Sequence, residues 1–305
     1  MAGHMNNAET ASLRPAQRSD RWRLEDFLAR TSPGGVTLSA ANLRHHVVAL
    51  SGEEVVGACA ILPAPGRCAA VLAPQLETWD DALASQLLRA AADLARTKFD
   101  ARLIQSLVEP QGSSPLAAAL QRAGFEVLAT LSYQRRDVRP DERDLPLPDD
   151  LEWQRYWPWR HRLFAETVRR TYEASLDCPK LAGLRTVDDA LATHKRTGLF
   201  TPDMWHVAVR GGEVVGVCLV NNLQGRGEVT YLGVTAGARQ KGLGRVLVER
   251  AVRDTARLGL PMIGLAVDVA NAPAMRLYEA TGFREIRRRL AYFIPATRLE
   301  SLHAE

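Results

Sequence analysis

The chain is poor in the features that decide a protein's class at a glance. It holds four cysteines in 305 residues, Cys59, Cys68, Cys178 and Cys218, and none has metal-ligand spacing. Cys59 and Cys218 fall in apolar runs, so they read as buried thiols of a reducing compartment, with no metal site expected. No apolar stretch is long enough to cross a bilayer and no secretory leader is present, so a cytoplasmic chain without a membrane partner is expected. The formal charge is only +4, and no dense basic run is interleaved with aromatics. That argues against a nucleic-acid partner but suits a small anionic ligand. Met1 to Met5 reads as a tag remnant, and residues 1–11 as a disordered tail. Apolar residues make up 46% and charged residues 24%, which fits a globular protein of about two domains.

What is present concentrates between Glu228 and Phe283. Glu228 to Val234 is a β-branched and aromatic run, hence a strand. After a short polar turn, Leu243, Val246, Leu247, Ala251 and Val252 recur at helical spacing until Gly259. The run Arg239-Gln240-Lys241-Gly242-Leu243-Gly244 thus sits where a strand hands over to a helix N-terminus. Free N–H groups and the positive end of the helix dipole favour an anion there. Glycines let a phosphate approach closely, while Arg239 and Lys241 add charge. Pro261 to Val267 reads as a buried strand, Asn271 to Phe283 as a short helix ended by Gly282, and Arg284 to about Ile294 as a last strand.

R-x-x-G-x-G followed by N-x-x-A-x-x-L-Y-x-x-x-G-F, carried by Asn271, Ala274, Leu277, Tyr278, Gly282 and Phe283, resembles the GCN5-related N-acetyltransferase (GNAT) superfamily. Ala236 stands where proline is frequent in that family. The resemblance implies that Arg239, Gln240, Lys241, Gly242, Leu243, Gly244 and Arg245 hold the pyrophosphate of acetyl-CoA or another acyl-CoA. It places Leu232, Gly233 and Val234 along the pantetheine arm, with Asn271, Ala274 and Tyr278 beside it. Asn271 is also suited to cap its helix.

An internal repeat sets the domain organisation. Gly52, Gly57 and Cys59 align with Gly211, Gly216 and Cys218, and Gly124-Phe125 answers Gly282-Phe283 at nearly the same offset. The fold class expected is α/β (α+β): two tandem GNAT-like domains, each a mixed, mostly antiparallel sheet flanked by helices. Residues 12–138 form the first domain, 139–150 a Pro- and acid-rich linker, 151–298 the catalytic domain and 299–305 a tail. In the first copy the turn Pro74 to Asp81 has no glycine pair and carries Glu77, Asp80 and Asp81, which repel a pyrophosphate. That copy is read as degenerate.

Acyl transfer to an amine needs a base, because only the free amine attacks a thioester. It also needs a donor toward the thioester carbonyl, such as a strand N–H near Leu232 or Val234, and an acid for the leaving thiolate. Strand alternation puts positions 228, 230, 232 and 234 on one face. The resemblance makes Glu228 the base and Tyr278 the acid, while a strand-end surface glutamate and a packed tyrosine stay open readings. Tyr172, Glu173, Asp177 and Cys178 lie where the family covers its acceptor pocket and are the substrate-binding candidates. Trp153, Tyr156, Trp157 and Trp159 crowd the start of the second domain, as packing or as an apolar wall. The activity expected is acetyl transfer to a primary amine of a small molecule, by a monomer or homodimer. A longer-chain N-acyltransferase and a non-catalytic acyl-CoA sensor are the alternatives.

Overall fold

In the computed structural model, residues 11–31, 40–110 and 115–304 are described. The expected N-terminal tail lies almost wholly outside them. In chain order the elements are β1 (Ser12–Pro15), α1 (Arg21–Thr31), β2 (His46–Ser51), β3 (Glu54–Ala64), β4 (Cys68–Val71), β5 (Gln75–Leu76), α2 (Asp81–Phe99), β6 (Leu103–Val108), α3 (Pro115–Arg122) and β7 (Glu126–Asp137). Then follow β8 (Glu152–Arg155), α4 (His161–Thr171), α5 (Val187–Arg196), β9 (Trp205–Arg210), β10 (Glu213–Leu223), β11 (Arg226–Val234), α6 (Leu243–Arg257), β12 (Met262–Asp268), α7 (Ala272–Ala280), β13 (Arg284–Pro295) and α8 (Ala296–Ala304).

The chain forms two compact units, Met1–Leu128 with Leu290–Glu305, and Ala129–Arg289. Among the described residues, each has a mixed sheet built on the same six-strand order, with β5 pairing β3 in addition in the first. In the first unit the order is β1-β2-β3-β4-β6-β13, and only β4/β6 is parallel. In the second it is β8-β9-β10-β11-β12-β7, and only β11/β12 is parallel. The repeated glycines explain themselves here. A Cβ on Gly57 would stand 2.9 Å from Leu87 of α2, and one on Gly216 would stand 2.9 Å from Leu247 of α6. In both units a helix seats a leucine on bare backbone.

The units cut the chain differently from the linear division into 12–138 and 151–298. Leu131–Asp137 of β7 pairs with β12 in the second unit, while Leu290–Pro295 of β13 pairs with β6 in the first. Each sheet is therefore completed by a strand that follows the other sheet's short helix in sequence. A period-2 run records which face is buried, not which strand it will pair with. The Pro- and acid-rich stretch is likewise no loose linker. Val138 is buried in the second unit's core, and Pro140–Asp144 is a 3₁₀ turn whose buried Glu142 pairs with Arg136 and accepts from Arg139 N at 2.8 Å. Residue 299, expected in a tail, is the buried Leu299 of α8, packed in the first unit's core.

Candidate active site

The second unit's sheet carries α6 and α7 on one face and α4 and α5 on the other, as its two apolar clusters show. The site is made where β11 and β12 part. They pair for only three residues, Gly227 to Val229 against Ile263 to Leu265. Beyond Val229 the two strands splay apart, leaving the β12-facing backbone of Thr230 to Val234 without a ladder partner. A cavity of about 660 Å³ fills the gap, lined by Thr230 to Val234 on one side and Leu265 to Val267 on the other. Exposed strand amides of this kind suit an extended, amide-bearing ligand.

A bulge lies at the mouth of the splay. Leu219 faces Tyr231 but Val220 faces Val229, so Thr230 is the extra residue, and its hydroxyl donates to Leu219 O at 3.2 Å. The inserted residue reverses the alternation. Val229, Leu232 and Val234 pack with the α6 cluster, whereas Tyr231 packs with the α4 cluster and bonds to the Thr171 hydroxyl at 2.7 Å. The expectation that 228, 230, 232 and 234 share a face is therefore corrected. Glu228 shares its face with Tyr231 and Gly233 instead.

At the far end of the cavity α6 begins. Gly242, at φ +79°, is its N-cap and supplies no side-chain cap, so the first amides of the helix stay open to a ligand. Of the residues expected to hold the donor, Leu232, Gly233, Val234, Arg239, Gln240, Gly242, Leu243, Gly244, Arg245, Asn271, Ala274 and Tyr278 all line the cavity. Lys241 does not, and its Nζ donates to Gly237 O at 3.0 Å. Arg239 is not aimed as a free cation. Its guanidinium donates to Val234 O (3.2 Å), Ala174 O (3.0 Å) and Thr171 O (2.9 Å), stapling the loop after α4 to the end of β11. Arg276, not singled out from the sequence, lines the cavity from α7. Asn271 acts as the α7 N-cap, accepting from Ala274 N at 3.3 Å.

Tyr278 lies on α7 and reaches the cavity while only 7% exposed. Burial pushes its hydroxyl pKa up, with Asp177 adding to the shift, so the group keeps its proton at neutral pH. Glu228 is outside the cavity lining, one residue from Val229, with Arg226 Nε 3.2 Å from its carboxylate. Burial raises its pKa against the pull of Arg226 and Arg135. Asp177 lines the cavity, and its pKa is raised by burial and by the nearby Asp268.

The remaining substrate-binding candidates stand back from the cavity. Tyr172 packs edge-on against Tyr231 at 5.8 Å, Glu173 is exposed, and Cys178 has its thiol pushed up to about 12 by burial and by Asp177. A thiol held protonated is a poor acyl carrier. Tyr231 also packs at 5.5 Å against His194, which burial keeps neutral, its pKa pushed down to about 3. Trp153 packs against His206 and Tyr156 against Trp205, while Trp157 and Trp159 stack on each other; none of them lines the cavity.

Residues 148–283 match the profile described as Acetyltransferase (GNAT) family. A mycothiol acetyltransferase of Acidothermus cellulolyticus is 33% identical over 190 residues, 57% of each chain. The chain thus spans little more than half the length of this curated relative. A GCN5-related N-acetyltransferase from Sphaerobacter thermophilus is similar in structure at a TM-score of 0.60, with 16% identity and coverage of 94% of this chain and 96% of that one. A tandem GNAT protein from the clavulanic acid biosynthesis pathway gives a TM-score of 0.51 at 17% identity, covering 94% and 98%. Both structures share the fold. Among the described residues, no helix is long and apolar enough to cross a membrane.

Proposed function

We propose, from the premise that residues 148–283 belong to the acetyltransferase (GNAT) family, that the second unit moves an acetyl group from acetyl-CoA to a primary amine of a small molecule in the cytoplasm. The observation that carries this reading is the uncapped N-terminus of α6, opening into a cavity flanked by two splayed strands. The donor supplies an activated thioester and a thiolate leaving group. The chain's own residues do the rest. Amides at the start of α6 bind a pyrophosphate, and the unpaired edge of Thr230 to Val234 orients an extended arm. A β11 N–H by Leu232 or Val234 polarises the carbonyl. Glu228 takes the amine's proton, directly or through one water, as the nitrogen attacks and the C–S bond breaks. Tyr278 returns a proton to the departing sulfur. Holding both reactants in one cleft contributes much of the rate.

Calorimetry of acetyl-CoA, a longer acyl-CoA and free CoA against the purified chain tests the donor site, followed by CoA release with an amine panel. One site per chain, with turnover, is expected. Two sites, or none, would overturn the reading. The raised pKa of Glu228 also predicts a pH profile. A base works only when ionised, so kcat/KM falls as pH drops through that raised value, and Glu228→Gln should lower the rate while removing that acidic limb.

A further inference from the structure

Arg239 opens the turn that ends at Gly242, the α6 N-cap, but its guanidinium acts on a different element, α4 and the turn behind it. Thr171 is the last residue of α4, and its carbonyl is one of those a helix leaves without an internal partner. Arg239 supplies that partner at 2.9 Å and brings a positive charge to the negative end of the helix dipole. Ala174, just beyond the helix, gives its carbonyl to the same guanidinium at 3.0 Å while standing at φ +48°. Cys178 holds φ +43°, so two non-glycine residues in the left-handed region bracket this turn. Such backbone persists only where its surroundings enforce it. The Thr171 side chain is seated as well: a Cβ on Gly233 of β11 would stand 2.7 Å from its Oγ1, and its hydroxyl shares a 2.7 Å bond with Tyr231. Within the bracketed turn lies Asp177, the one carboxylate among the described residues that line the cavity.

We propose that Arg239 is a positioning residue that couples the two halves of the site. A phosphate held on the α6 amides fixes the turn from Arg239 to Gly242, the guanidinium then pins the turn from Thr171 to Cys178, and Asp177 is kept in the cavity as the counter-charge for an arriving ammonium. This rests on the acyl-transfer reading above. Arg239 thus acts on protein carbonyls and leaves the anion to the helix amides. A planar guanidinium fork reaches several acceptors at once, which a point charge on a flexible stem does not. The coupling is reciprocal: the factor by which the donor orders the turn is the factor by which the ordered turn tightens the donor.

Amide hydrogen exchange with and without free CoA tests this. The amides of Ser175, which donates to Tyr172 O at 3.1 Å, and of Asp177, which donates to Ser175 Oγ at 3.1 Å, report on the turn. In the wild-type chain CoA should slow both by about tenfold. In Arg239→Gln the slowing should vanish, and CoA affinity by calorimetry should fall by that same factor and no further. Arg239→Lys keeps the charge without the fork and should match Arg239→Gln. Slowing as strong in either variant as in the wild type, with or without a loss of affinity, overturns the proposal. If neither variant folds, the wild-type chain decides: slowing confined to this turn and the start of α6 supports the coupling, and none overturns it. Absence of CoA binding to the wild-type chain overturns the acyl-transfer reading and the coupling with it, whereas binding without slowing overturns the coupling alone.

Discussion

The two units build the same strand–turn–helix corner and use it in opposite ways. In the first, Asp80 caps α2 by accepting from Ala82 N at 2.8 Å and Leu83 N at 3.0 Å, so the helix's own carboxylate occupies the place an anion would take. Asp81 pairs with Arg122 at 2.8 Å and Glu77 with Arg30, so the other two acids of that turn are held as well. In the second, Gly242 caps α6 with no side chain and the amides open on a cavity. The same helix end is closed by its own side chain in one unit and left open on a cavity in the other. The residue at the cap is the first difference and the paired acids Glu77 and Asp81 the second, while the dipole and the helix N–H groups are common to both.

The sharpest way to break this contrast is to give the second unit a carboxylate. Gly244→Asp should lower acetyl-CoA affinity about 100-fold or more, through charge repulsion and crowding of Leu277, which a Cβ there would meet at 3.0 Å. Unchanged binding by calorimetry would mean the helix end is not the phosphate seat. Next in size on the catalytic rate is Tyr278→Phe, at the position that is Leu120 in the first unit. It should cost about 10²–10⁴ in kcat with acetyl-CoA affinity retained, and full turnover would leave Tyr278 a packing residue. The reciprocal change, Asp80→Ala, should destabilise the chain by about 1 kcal/mol in denaturant titration while leaving acetyl-CoA stoichiometry at one. A gain of a second site would show that the cap alone had closed the first unit. Smallest of all, Cys178→Ser should leave turnover within about twofold, since the half-buried thiol, its pKa pushed up to about 12, is protonated across the working range.

Much of this was readable without coordinates. The glycine turn, the helix behind it and the Asn271 cap are local devices, set by residues within a few positions of one another. The repeat was legible because both copies need bare backbone at Gly57 and Gly216 for a helix to sit down. Less accessible was the bulge at Thr230. Nothing in Glu228 to Val234 marks an extra residue, since the bulge arises from mismatch with β10, and it turned Glu228 away from Leu232 and Val234. What holds Arg239 was out of reach for a similar reason. Its charge is visible in the sequence, but the three carbonyls that hold it come from Thr171, Ala174 and Val234, which are brought together only by folding.

The sequence by itself determined the local chemistry: where a helix starts without a cap, where glycine allows close approach, and which unit carries acids at the equivalent turn. Only the tertiary structure decided which strand completes each sheet and where β11 and β12 part. Those are pairing choices between segments far apart in the chain. They are settled by summed contacts and loop-closure entropy, which no short window of residues records.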